Sequence, residues 1–174
     1  MRLLPILVPA LLATAGCAQA SPPAMPLGAP SPAVGRTASV TLPSDQGSVV
    51  TLPLGRARAT VVEAFSPTCE PCRTKVPALL ALRPDIERAG GRIVLIAVLA
   101  DGETTEEAAA ALRRWGAESP FLVDRGDVVR RECGVESLPA TIVLDARGVV
   151  RWFAGSQSSA SDVASAASAV ANAP

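Results

Sequence analysis

The stretch Phe65-Ser66-Pro67-Thr68-Cys69-Glu70-Pro71-Cys72-Arg73 decides how the rest of the chain is read. It sets a C-x-x-C pair between a compact apolar run, Thr60 to Phe65 (TVVEAF), and a stretch of helical spacing running from Glu70 towards Ala89. A strand leading straight into a helix start would put Cys69 among free backbone N–H groups at the positive end of the helix dipole. Such positions lower a thiol pKa to about 3.5 to 7.5. Pro71 suits the first helical turn, where its missing N–H costs nothing. Cys72, three residues on, lies on the same face as Cys69, so the pair can cycle between dithiol and disulfide. Three other readings compete. A zinc site needs further ligands, and the chain has no histidine and, beyond the pair, only Cys133 and the amino-terminal Cys17. Covalent haem needs a histidine where Arg73 stands. A purely structural disulfide stays open, since oxidised cysteines are common outside the cytoplasm.

Outward from this motif, β-rich runs alternate with helical ones. Ser39 to Leu42 and Val49 to Leu52 flank Ser44-Asp45-Gln46-Gly47, a hairpin turn. Arg92 to Leu99 (RIVLIAVL), like TVVEAF, is the kind of run that a strand covered on both faces requires. In the helical stretch between them Val76, Leu79, Leu80 and Ile86 should point inward, and Pro77 and Pro84 should kink or end it. Glu103 to Trp115 carries Ala108, Ala111, Leu112 and Trp115 at helical spacing, Phe121 to Val123 is a short strand, and Arg125 to Cys133 a short helix. Ala140 to Leu144 and Val149 to Phe153 bracket a second hairpin turn, Asp145-Ala146-Arg147-Gly148, and Ser161 is the expected cap of a small-residue helix reaching Ala171. A parallel β-α-β half followed by an antiparallel hairpin and a helix predicts an α/β fold, a central mixed β-sheet flanked by helices on both faces.

Composition narrows the functions. Of the 174 residues 49% are apolar and 18% charged, with 16 basic residues balancing 16 acidic ones. Lys75 is the one lysine, and the arginines are spread thinly, which argues against a nucleic-acid partner. Without histidine there is no Ser-His-Asp or Cys-His catalysis, and without tyrosine one more acid is missing. Carboxylates, hydroxyls and Cys17, Cys69, Cys72 and Cys133 remain for the chemistry, and neither a metal nor a cofactor is expected. The apolar run from Leu3 to Ala15 after Arg2 reads as an export signal too short to span a bilayer. Its end, Thr14-Ala15-Gly16-Cys17, is similar to a bacterial lipobox, which makes Cys17 a candidate for lipidation. Ala18-Gln19-Ala20 offers a competing cleavage site before Ser21. Residues 1–17 are therefore read as signal peptide, 18–36 as a Pro/Ala-rich linker, and 37–174 as the folded domain, outside the cytoplasm.

Cys69-Glu70-Pro71-Cys72, the downstream Pro77, and Gly134-Val135-Glu136-Ser137-Leu138-Pro139-Ala140-Thr141 together resemble the thioredoxin superfamily. More closely, they resemble its membrane-tethered bacterial thiol-disulfide oxidoreductases, the branch that includes the cytochrome c maturation proteins. The resemblance covers nearly all of residues 38 to 171. It implies a thioredoxin-like fold with an extra N-terminal β-hairpin, Cys69 as nucleophile and Cys72 as resolving thiol. It further implies that Pro139 is a cis-proline opposite the disulfide, and that it forms with the Leu138 backbone the edge on which an extended substrate pairs. Glu63 stands where thioredoxins carry a buried acid. Alone in an apolar strand it should have a raised pKa and relay the proton of Cys72, unless it turns outward at a strand end. Two residues depart from the pattern: Thr68 replaces a tryptophan, and Lys75 stands where many tethered reductases have a glutamate. Cys133 is expected as a buried apolar filler. The function implied is reduction of disulfides in cysteine-containing exported proteins, recharged by a membrane thiol electron donor, with the domain held at the membrane by a lipid anchor. The alternatives are a non-catalytic binding module with a structural disulfide, and a thiol peroxidase of the same superfamily, whose P-x-x-x-T-x-x-C pattern is missing here.

Overall fold

The computed structural model describes residues 33–174. The expected signal segment, Cys17 and nearly all of the expected linker lie outside the described residues. The last linker residues, 33–36, already sit on the domain: Ala33 is buried, the Gly35 N–H donates to Val150 O, and Arg36 O accepts from the Val150 N–H. Ordered packing thus reaches back at least to Ala33, ahead of the boundary expected at residue 37.

In chain order the elements are β1 (Val40–Pro43), β2 (Val49–Leu52), β3 (Ala59–Phe65), α1 (Cys72–Ala81), α2 (Arg83–Arg88), β4 (Gly91–Val98), α3 (Thr105–Arg114), β5 (Phe121–Asp124), α4 (Val128–Cys133), β6 (Ala140–Asp145), β7 (Val150–Ala154) and α5 (Ala160–Ala171). β1 and β2 form the two-stranded N-terminal hairpin, and the main sheet has the order β5-β4-β3-β6-β7. β3 pairs in parallel with β4, and β4 with β5, whereas β3–β6 and β6–β7 are antiparallel. This is the mixed sheet that the sequence predicts.

β3 is central, and every one of its residues is buried. Because side chains alternate across a strand, Val62 and Ala64 enter one core layer, shared with β1, β2 and α4. Val61 and Phe65 enter the opposite side, against α1, α3 and α5. Phe65 meets Trp115 and Phe121 edge-on, with ring centroids 6.0 and 5.9 Å apart, contacts worth about 0.5–1.5 kcal/mol each beyond area burial.

Two expectations are corrected by local chemistry. The single stretch from Glu70 towards Ala89 is two helices that meet at Leu82. Pro77 is accommodated inside α1, while Pro84 falls in the first turn of α2, where its missing N–H is harmless. Of the residues expected inward, Val76, Leu79 and Ile86 are buried and Leu80 only partly so. The cap of α5 is Ser159, not Ser161: Ser159 Oγ accepts from the Asp162 N–H while the Asp162 carboxylate accepts from the Ser159 N–H. This reciprocal box satisfies two otherwise orphaned donors. The turn between β6 and β7 forms as expected. Asp145 Oδ1 accepts from the Arg147 and Val149 N–H groups, and Gly148 has φ +82° with Ala38 O 2.9 Å from where a Cβ would stand. A side chain there would meet both backbone strain and a clash.

Candidate active site

The geometry of the site follows from where β3 and β6 end. Ala64 pairs with Ala140, so Leu138 and Pro139, just before β6, lie at the same end of the sheet as Ser66 to Cys69, just after β3. The Leu138–Pro139 peptide is cis, and Leu138 packs against the layer containing Phe65 and Cys72. Among the described residues the Leu138 backbone N–H and C=O have no hydrogen-bond partner.

Cys69 and Cys72 form a disulfide with a Cα–Cα distance of 5.3 Å. The helix begins at Cys72, not near Glu70, with Pro71 as its N-cap residue. Cys69 lies on the turn before it: its N–H donates to Ser66 O, and its carbonyl accepts from the Cys72 N–H. The Cys69 sulfur nevertheless stays at the positive end of α1, because it is bonded to the sulfur of the first helical residue. The two sulfurs differ in access. Cys72 is fully buried, whereas Cys69 is partly exposed and borders an open cavity of about 440 Å³ lined also by Thr68, Arg73, Arg114 and Trp115. Thr68 Oγ1 donates to Glu103 Oε1 at 2.9 Å, and Glu103 Oε2 accepts from the Ala100 N–H, which ties the cysteine loop to the segment after β4.

Glu63 is fully buried, so it does not turn outward. Strand alternation puts it on the side of Val61 and Phe65, beneath α1. Oε2 accepts from Thr141 Oγ1, its cross-strand neighbour on β6, while Oε1 has no partner among the described residues. Burial pushes the Glu63 carboxyl up to about 7, against the opposing pull of Lys75 and of the Thr141 hydroxyl. Lys75 is buried too, and its Nζ donates to Gly155 O at 2.8 Å and Ser158 Oγ at 3.0 Å. Desolvation lowers its pKa, and the Glu63 charge partly offsets that.

The structure thus places Cys69, Cys72, Leu138 and Pro139 together at one end of the sheet, with Glu63 buried on the same side of it as Cys72. Cys133 stands apart: it is buried in the β1–β2–α4 layer across the sheet, and burial, with Glu132 and Asp124 nearby, pushes its thiol up to about 12. A thiol there is inert near neutral pH. Sequence reasoning missed Thr141, Gly155, Ser158 and Trp115. Thr141 stood inside the Leu138-to-Thr141 stretch, but nothing in the chain tells that it lies opposite Glu63.

A C-x-x-C pair at a helix start, one sulfur shielded and one accessible, beside a cis-proline edge on this sheet, defines a thioredoxin-like thiol-disulfide oxidoreductase. Residues 34–153 match the AhpC/TSA family, and the chain belongs to it. It is 30% identical over 120 residues to the thiol-disulfide oxidoreductase ResA of Geobacillus thermodenitrificans, covering 68% of this chain and 67% of that one. Among solved structures it resembles the thioredoxin domain of a thiol-disulfide oxidoreductase from Bacteroides vulgatus, with a TM-score of 0.65, 19% identity and coverage of 80% of this chain and 99% of that one. A secreted thiol-disulfide isomerase from Corynebacterium glutamicum superposes with a TM-score of 0.68 at 19% identity, covering 79% and 86%.

Proposed function

We propose that this oxidoreductase works outside the cytoplasm and reduces disulfides of particular exported proteins, with Cys69 as nucleophile, Cys72 as resolving thiol and Glu63 as proton relay. The observation that carries this reading is the unequal access of the two sulfurs: Cys69 opens on a cavity and Cys72 is sealed beneath it. In the reduced protein the Cys69 thiolate attacks a client disulfide, forming a mixed disulfide and releasing one client thiolate. Glu63 takes the proton of Cys72, whose thiolate attacks the Cys69 sulfur. The Cys69–Cys72 disulfide forms, the second client thiolate leaves, and two electrons have passed to the client. An extended client segment pairs with the free backbone edge at Leu138 and Pro139. A membrane thiol donor returns the pair to the dithiol.

Location outside the cytoplasm is supported by the export-like amino terminus and by likeness to a secreted isomerase. Lipidation of Cys17 would hold the domain at the membrane. The mass of the mature amino terminus decides this, an unmodified start at Ser21 ruling the anchor out. The client is found by trapping. Cys72→Ser, expressed in its native envelope, should accumulate one or a few exported proteins bound through Cys69. Finding none, while wild type fails to reduce any envelope protein, contradicts the reductase role.

A further inference from the structure

α1 turns Cys72, Lys75, Val76 and Leu79 towards the sheet, the i, i+3, i+4, i+7 stripe of a single helix face. The sole lysine of the chain therefore occupies a core position, with 7% of its surface exposed. Burying an ammonium costs several kcal/mol unless charge and hydrogen bonds compensate, and an apolar residue would fill the place without that cost. Its two hydrogen-bond partners, Gly155 O and Ser158 Oγ, are both uncharged. The compensating charge comes from the same side of the sheet, from Glu63, whose Oε1 is left without a partner. The two do not form a direct ion pair.

The other titratable groups on elements around Glu63 are accounted for elsewhere. Arg73 of α1 is exposed and turned to Glu70. Arg92 of β4 donates to Gly91 O, Asp145 of β6 binds Arg151 of β7, and Asp162 of α5 is exposed in its capping box. Glu106, Glu107, Arg113 and Arg114 of α3 are exposed, and Cys72, bonded to Cys69 here, stands three residues before Lys75 on the same helix face.

We propose that Lys75 is a positioning residue for proton transfer beneath the disulfide: its ammonium, pinned on Gly155 and Ser158, is buried on the same side of the sheet as Glu63 and sets the pH range over which that carboxyl releases its proton. A fixed positive charge close to a carboxyl but outside contact favours the ionised form without locking it. Desolvation alone would keep Glu63 protonated, and a protonated Glu63 has no place for the proton of Cys72. A direct ion pair would hold it ionised and unable to keep that proton. The pinning also couples α1 to the β7–α5 loop, which runs beside Pro139: a Cβ on Gly155 would stand 4.0 Å from Pro139 O.

The effect on turnover rests on the relay role of Glu63, but the charge effect is read without turnover. In the oxidised wild-type protein the carbon-13 shift of the Glu63 carboxyl should titrate near 7. In Lys75→Met the midpoint should rise by about one pH unit or more. Lys75→Arg should restore it, and Ser158→Ala, which removes one anchor but keeps the charge, should leave it close to wild type. Lys75→Gln, which keeps a donor for Gly155, replaces the Met variant if that one unfolds. An unchanged midpoint without the lysine charge overturns the proposal. The pH profile of disulfide exchange should move with the titration. If Glu63→Gln exchanges as fast as wild type, the relay fails on its own, and the carboxyl titration still decides the role of Lys75.

Discussion

At the residue scale the central cost is Glu63, a carboxyl in a fully buried strand with one oxygen unpartnered. Its folded-state pKa of about 7 lies above the ordinary 4.5. Between those values the folded protein binds more protons than the unfolded one, so this group makes stability fall as pH rises through the window. Glu63→Gln should remove that slope, with wild type losing about 3 kcal/mol relative to the variant between pH 4.5 and 8; denaturant melts at the two pH values check it. The same variant should slow disulfide exchange near neutral pH by about 10 to 100 fold, since water can partly substitute for the relay. Equal rates from pH 6 to 9 would leave Glu63 a buried acid with no part in exchange. Glu63 was legible as a candidate in TVVEAF, where one carboxylate interrupts an apolar run. Its surroundings were not, because Thr141 bonds it across the sheet and the Lys75 charge acts on it from the α1 side without contact, and neither is written in local sequence.

At the element scale the strands were the most legible parts, since TVVEAF and RIVLIAVL are too apolar for anything but a two-sided core. The hairpin turns at Ser44–Gly47 and Asp145–Gly148 were marked by residues that fit only there. The helices were misread at their ends. In Glu70 to Ala89 both halves share one apolar periodicity and two prolines offer a break; the structure keeps Pro77 inside α1 and breaks the stretch at Leu82, before Pro84. Ser159 and Ser161 are equally plausible caps by composition. The reciprocal bond with Asp162 selects Ser159. Ser159→Ala should therefore destabilise the protein by about 0.5–2 kcal/mol, and Ser161→Ala by much less; chemical denaturation of the two variants distinguishes them, and equal losses would refute the assignment.

For the whole molecule, the sheet is a partition. The disulfide, Glu63 and Lys75 belong to the α1 side, and Cys133 to the β1–β2–α4 side. The division of labour proposed for the two sulfurs on that one side is decided by differential alkylation of the reduced protein. Cys69 should react first, with an apparent pKa below the free-thiol value of about 8.5, while Cys72 reacts slowly, and Cys133→Ala should leave both rates and the exchange cycle unchanged. Faster labelling of Cys72 than Cys69, or a disulfide that strong thiol reductants cannot open in the folded protein, would refute that division.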